Sequence, residues 1–333
     1  MLLVIDRQKT IVRLKAGCLV IEQPERGNQR IPVSQLEQVV VYGNPLVESS
    51  VWRVLSENSV PAVLLAVRGN RAPAMLGSGL AVQLPSRKMQ HRIIQQPDQS
   101  LYVAKWFVTR KLKGYDLPIS LISSQMVSDE KTHFFLEQRD TAVDSLARAE
   151  RISEVIGIEG SVARSWFALL TKSLPRQWNF FDRNRRPPKD PVNALLSLGY
   201  TMAHSVLRQE IIVSGFDPSL GFVHQEYPGR EALALDFLEI FRCSIDYFVL
   251  EFILKGTLST TDFHESDDDG CFLNKAARPI FYKSWAEFRE YCPNVGITKE
   301  ASHSSDGAPL QKQIVRHLNY FKAYLNSLEE ADA

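Results

Sequence analysis

The chain has 333 residues, with 39 Lys+Arg against 38 Asp+Glu and a formal net charge of +1. It is too long for one small core, which implies about two domains, and its overall charge carries no signature of a nucleic-acid binder. Hydrophobic residues make up 44% and charged residues 23%, which excludes a disordered or fibrous chain.

Cys18, Cys243, Cys271 and Cys292 are widely spaced and form no CxxC pair. Neither a disulfide framework nor a zinc-thiolate site is expected. The opening MLLVIDRQK meets charge at Asp6, too early for a signal peptide. The most apolar helical stretch, Tyr247 to Leu254, is broken by Glu251 and is too short to span a bilayer. A reducing cytoplasmic compartment and no membrane partner are expected.

Residues 1–84 predict a small β-sandwich or barrel. LLVID, TIVRL, CLVIE, EQVVVYG and PAVLLAV are short β-branched runs, separated by turn signals such as Glu25-Arg26-Gly27-Asn28 and Gly43-Asn44-Pro45. One helical interruption is predicted over Ser49–Glu57. From residue 85 onward the periodicity turns helical, so 85–333 is expected to be a larger, all-helical domain and the class to be α+β. Leu101–Leu112 sets Val103, Ala104, Phe107 and Val108 against Lys105, Arg110 and Lys111. Ala142–Val155 predicts a further helix rich in charge pairs, and Ser161–Leu170 another that opens after Glu159-Gly160. Asp190 is a suitable N-cap with Pro191 at the first helical position, for a long apolar helix that stops at Ser214-Gly215. The polar stretch DFHESDDDGCFL predicts a hairpin or loop. Its Asp267-Asp268-Asp269-Gly270 run lacks the alternate acids and closing Glu of a calcium loop. Trp285–Tyr291 and Leu310–Leu328 predict closing helices.

The chemistry concentrates between Gly221 and Arg242, GFVHQEYPGREALALDFLEIFR. His224 follows an aromatic-glycine turn. Asp236 and Glu239, three residues apart, share one face of the next helix. They interrupt an apolar segment, and acids among buried residues must be paired or hold a cation. An imidazole with two carboxylates is a mixed donor set for Mg2+, Mn2+ or Zn2+; the plain alternative is a solvated acidic face. Glu159 is the best candidate for a third carboxylate. Its alternative reading is an acid at a helix N-terminus, interacting with the dipole. Arg164 and Arg242 either balance these acids or contact phosphate. The loop cations Arg183, Arg185, Arg186 and Lys189 are candidate phosphate contacts. Asn193 and Tyr200 are assigned to packing or hydrogen bonding, and His204 to the core.

Four stretches resemble the CRISPR-associated integrase family, the catalytic endonuclease subunit of the spacer-acquisition complex. They are Glu159 to Arg164, EGSVAR; Arg183 to Tyr200, RNRRPPKDPVNALLSLGY; Gly215 to His224, GFDPSLGFVH; and Leu233 to Arg242, LALDFLEIFR. Their order and spacing match as well. The resemblance implies a β-rich N-terminal dimerisation domain and a helical catalytic domain with one Mg2+ or Mn2+ site. By resemblance the metal ligands fall on Glu159, His224 and Glu239, with Asp236 a further acid of the catalytic site. The implied activity is metal-dependent DNA integration and endonuclease cleavage, in which a 3′-hydroxyl attacks phosphodiesters at the edges of a CRISPR repeat. The implied partners are DNA, a second copy of the chain, and a small dimeric protein of the adaptation complex. Two rival readings use the same residues: a stand-alone nuclease for branched DNA repair intermediates, and a non-catalytic DNA-binding scaffold.

Overall fold

Alternating β-branched residues from the first strands build two sheets around one core, because successive side chains of a strand point to opposite faces. The structure, a computed structural model, describes residues 1–7, 9–24, 27–66, 73–76, 84–125, 129–184, 187–266, 270–293 and 307–331. The N-terminal strands are β1 (Leu2–Ile5), β2 (Ile11–Lys15), β3 (Cys18–Gln23), β4 (Gly27–Pro32), β5 (Gln38–Tyr42), β6 (Leu46–Val47), β7 (Ala62–Leu65) and β8 (Ala74–Leu76), with α1 (Ser49–Glu57) between β6 and β7. One sheet has the order β1-β5-β7-β8 and the other β4-β3-β2-β6. In the first, β1, β5 and β7 run parallel and β8 is antiparallel. Lys15 pairs with Cys18 across a two-residue turn. Ala16 and Gly17 both have positive φ there, as a tight hairpin matched to strand twist requires.

Strands β1, β5 and β7 of the first sheet are covered on both faces. Leu3, Ile5, Val39 and Val41 point into a core shared with Val12, Leu19, Ile21 and α1 residues Val51 and Leu55. Leu2, Val4 and Val40 point the other way, into the helical core. Buried Gln38 crosses that boundary, donating to the Met202 carbonyl at 3.2 Å and the Ser205 hydroxyl at 2.5 Å.

The rest is helical as expected, apart from a hairpin at the polar stretch, one of the two forms read for it from sequence. The helices are α2 (Leu84–Ile94), α3 (Pro97–Gly114), α4 (Asp116–Gln125), α5 (Asp129–Arg148), α6 (Ile152–Ser173), α7 (Pro191–Val213), α8 (Ala232–Leu254), α9 (Arg278–Glu290) and α10 (Leu310–Ala331). Strands β9 (Phe263–Ser266) and β10 (Gly270–Leu273) form an antiparallel hairpin at the polar stretch; Asp267, Asp268 and Asp269 lie outside the described residues. The Asp190 cap of α7 is as read from sequence: its carboxylate accepts from the Asn193 N–H at 2.8 Å, with Pro191 following.

Helix α8 is the central element and packs against α7, α3 and α4. It approaches α7 closely at Gly199, where a Cβ would lie 2.8 Å from Ile245 Cγ2. Trp166 of α6 and Tyr200 of α7 both donate to the buried Asp246 carboxylate of α8, the indole at 2.8 Å. Phe321 of α10 packs against Trp106, Phe107, Phe216, Phe222 and Phe237, with ring centroids 5.2–6.0 Å apart.

The Ala142–Val155 helix expected from the charge pattern is not continuous. Arg151 is extended, at φ −137 and ψ 146, and separates α5 from α6. Glu154 accepts from the Glu150 N–H at 2.9 Å and from the Arg151 guanidinium, so an acid in the first turn defines the start of α6. Glu159 is therefore inside α6, not at a helix entry. Gly160, which the sequence placed at a helix entry, likewise lies within the helix.

Buried His317 of α10 has no hydrogen-bond partner for either ring nitrogen among the described residues. Burial, with Arg110 and Arg316 nearby, lowers its pKa to about 3. The unfolded imidazole takes a proton near pH 6.5, so the stability of the neutral folded form is complete above that pH. It is lost as pH falls toward 3. His317→Leu is expected to flatten the decline in urea midpoint between pH 6.5 and 4; an unchanged decline would count against this assignment.

Candidate metal and active site

Two helices and one turn bring the site together. Helix α6 supplies Glu159, α8 supplies Asp236, Glu239 and Arg242, and the turn before α8 supplies His224. The turn is fixed by Asp236, whose side chain is fully buried. Its Oδ2 accepts from the N–H groups of Phe222 at 2.6 Å and Val223 at 3.1 Å. Its Oδ1 accepts from the His224 N–H at 2.9 Å and faces His224 Nδ1 at 2.8 Å. A carboxylate in this position makes Nδ1 the protonated nitrogen and leaves the Nε2 lone pair outward. Nε2 lies 3.8 Å from Glu239 Oε1.

Gly221 permits this turn. A Cβ there would lie 2.7 Å from Ala232 Cβ and 2.9 Å from Asp236 Oδ2. Gly221→Ala is expected to cost about 2 kcal/mol in urea unfolding through overpacking and to loosen the His224–Asp236 pair. A variant as stable as the parent would contradict the close packing.

Glu159 and Glu239 do not face each other across open space. The ammonium of Lys111, from α3, bridges Glu159 Oε1 and Glu239 Oε2, the second at 2.6 Å. Its side chain is 2% exposed. Burial alone would lower the Lys111 pKa, but Glu239 and Glu159 outweigh it and raise the value. For Glu239 burial acts upward, and Arg242, Lys111 and His224 reverse it and lower the pKa to about 2. Arg242 lies 3.0 Å from Glu239 Oε1 and stacks toward Tyr200 with its guanidinium carbon 5.2 Å from the ring centre. Burial opposes the charge on Arg242, but Glu239 holds its pKa above the usual value.

Lys111 is absent from the site residues read from the sequence. It continues the stripe Ala104, Phe107, Val108 at helical spacing, which places it on the inner face of α3. That stripe was the available signal.

The candidate phosphate contacts divide. Arg164 and Lys189 are exposed. Arg183 turns inward, donating to Asn193 Oδ1 at 2.7 Å and Ser197 Oγ at 3.1 Å, so it builds the loop around buried Asn193. Arg185 and Arg186 lie outside the described residues. Asn193 and Tyr200 bind within the fold, as expected. So does His204, whose pKa burial lowers.

Among the described residues, no three His, Cys, Asp or Glu are grouped closely enough to hold a metal ion as they stand. The donor set nonetheless fits a hard divalent cation. Glu159 and Glu239 already converge on one positive charge. His224 Nε2 is within about 1 Å of the roughly 3 Å separation that two donors on one cation adopt with bonds of about 2.1 Å.

The family model described as CRISPR associated protein Cas1 matches residues 3–287. The chain is 31% identical over 293 residues to a CRISPR-associated endonuclease Cas1 of Thermodesulfovibrio yellowstonii, covering 85% of this chain and 90% of that relative. It is 31% identical over 282 residues to one from Thermus thermophilus, covering 84% and 83%. In fold it is similar to a CAS1 protein from Thermotoga maritima, with a TM-score of 0.80 at 18% identity, covering 98% of this chain and 97% of that one. It is also similar to a casposase bound to integration product, with a TM-score of 0.82 at 18% identity, covering 98% and 90%.

Proposed function

The chain belongs to the CRISPR-associated Cas1 family, and we propose that it is a metal-dependent DNA integrase and endonuclease of CRISPR adaptation. The observation that carries the reading is the convergence of Glu159 and Glu239 on one buried cation position, with His224 Nε2 beside Glu239. In the proposed reaction the 3′-hydroxyl of a short DNA fragment attacks a phosphodiester at a repeat edge. A new P–O3′ bond forms, the old P–O3′ bond breaks, and the displaced strand leaves with the proton as a 3′-hydroxyl. The number of phosphodiesters is unchanged, so no external energy source is needed. With water as nucleophile the same site is a nuclease.

Glu159, Glu239 and His224 Nε2 would hold Mg2+ or Mn2+. When bound, the ion stabilises charge on the phosphoryl oxygens and lowers the pKa of the attacking hydroxyl. Asp236 fixes the turn and orients the His224 imidazole, while Arg242 holds Glu239. The exposed Arg164 and Lys189 serve as phosphate contacts, with Arg185 and Arg186 close to Lys189 in sequence, while Arg183 and Arg242 are bonded within the fold. A hollow on α2 lined by Leu84, Arg87, Lys88, His91 and Arg92 adds a second positive surface. Local charge of this kind is compatible with a chain whose net charge is only +1.

The same proposal includes a dimerisation unit of residues 1–84, a catalytic unit of 85–333, a homodimer, and a small dimeric partner protein. One fold neighbour is a Cas6-RT-Cas1–Cas2 complex, with a TM-score of 0.81 over 98% of this chain, which supports a partner of that kind. Cytoplasmic location belongs to the proposal too; among the described residues no helix is long and apolar enough to cross a membrane.

The test is strand transfer. Protein with and without its small partner receives a short duplex with free 3′-hydroxyls and a supercoiled plasmid bearing a repeat, in Mg2+, Mn2+ or EDTA. Joining at repeat edges is expected, lost with EDTA and in His224→Ala. Cleavage of branched DNA without joining would favour a repair nuclease. DNA binding with no reaction under any metal would favour a scaffold.

A further inference from the structure

Among the described residues, Lys111 is the cation bonded to both site carboxylates, and the catalytic reading assigns it no part. Its stem is held in the core. Ala104, Phe107, Val108 and Leu112 around it on α3 are buried, and Cys243 Sγ lies 3.6 Å from the Lys111 carbonyl. The ammonium accordingly has a fixed place. The Glu159 and Glu239 side chains are 19% and 7% exposed. Without a cation, two such carboxylates repel each other in a medium that solvates them poorly.

We propose that Lys111 is the resident counter-cation of this site, which holds Glu159 and Glu239 together in the metal-free protein and yields at least one of them when a divalent cation binds. The inference rests on the metal-holding roles proposed above for Glu159, Glu239 and His224. Its physical basis is competition. The carboxylate oxygens that accept from Nζ are the ones a hard cation would take at about 2.1 Å, and an ammonium left beside a divalent ion is repelled by it. Metal binding is then an exchange of cations within a preformed acidic pair. The pair is kept in register before the ion arrives, and the ion's affinity is set below what the bare acids would give.

Three full-length proteins test this: the parent, Lys111→Met, which fills the same apolar channel without charge, and Lys111→Arg, which keeps the charge. Mn2+ binding is measured by titration calorimetry, and urea unfolding is followed with and without Mn2+. Lys111→Met is expected to bind Mn2+ about tenfold more tightly or better, to be less stable without metal, and to gain more stability from it than the parent. Lys111→Arg is expected to bind no more tightly than the parent. Equal or weaker Mn2+ binding in Lys111→Met overturns the proposal. Should Lys111→Met fail to fold, the parent labelled with 15N at lysine Nζ decides. The ammonium resonance missing from the Lys111→Arg spectrum must move when Mg2+ saturates the protein, and a resonance unmoved by bound Mg2+ overturns the proposal. If the parent binds neither ion, the metal-holding reading fails and this one with it. Parent binding with an unaltered variant isolates failure to the exchange alone.

Discussion

Glu159→Gln and His224→Ala each lose strand transfer by about a thousandfold or more, while the protein still folds. The magnitude follows from removing one donor of a group expected to supply several kcal/mol of charge stabilisation, at about 1.4 kcal/mol per tenfold in rate. Neither side chain is needed to complete the core. Glu159 is 19% exposed and His224 is 26% exposed. In Glu159→Gln the Lys111 ammonium keeps Glu239 as its partner, so burial of an unpaired charge is avoided. Rates of joining under saturating Mn2+, together with urea midpoints, check the result. A variant within about threefold of the parent rate would remove that residue from the reaction.

Asp236→Ala has the larger structural effect. Three backbone N–H groups and one imidazole nitrogen converge on its carboxylate, and the side chain is fully buried. Removing it leaves buried donors without an acceptor, at roughly 1–3 kcal/mol each. A loss of about 4 kcal/mol in unfolding free energy is expected, and His224 is released from its fixed orientation. Asp236→Asn keeps the shape but presents an amide N–H₂ to one set of donors, so it recovers only part of the loss. In the Asn variant Mn2+ affinity should fall about 10–100-fold, as when a group that orients a metal-binding histidine is removed. Stability and affinity near parental values in both variants would show that Asp236 does not anchor the turn.

Local signals were readable where one residue type has one structural use. Asp190-Pro191 fixed the start of α7, and the β-branched runs located most of the N-terminal strands. Strand β4 was hidden because its sequence, Gly-Asn-Gln-Arg-Ile-Pro, is polar and largely exposed; it is placed by backbone pairing with β3 and by Ile31, which packs on the core. Glu159 was assigned to a helix entry because Gly160 follows it, a residue disfavoured within a helix by about 1 kcal/mol relative to Ala. Packing of α6 against α5 and α3 overrides that local cost.

The site was legible as a set of residue types, and less so as an arrangement. Acids within an apolar helix signalled that Asp236 and Glu239 had partners. What the partners are depends on chain segments far apart in sequence: the turn at 222–224 folding back onto Asp236, and Lys111 reaching Glu239 across 128 positions. A lysine in a helix that also carries Lys105 and Arg110 reads as part of a solvated face. Only its position on the Phe107–Val108 stripe separates it from them.

Asp236, Glu239, Arg242 and Asp246 occupy one helix at intervals of three, three and four residues, and together they tie α8 to the 222–224 turn, α3, α7 and α6. Deleting one residue between Asp236 and Asp246 would turn one end of α8 by about 100° and shift it by about 1.5 Å relative to the other. The turn-holding acid and the acid that staples Trp166 and Tyr200 could then no longer both be seated. Helix α8 therefore behaves as a ruler: it admits substitutions one side chain at a time, and changes of length must fall outside it, in connections such as the one between α8 and β9.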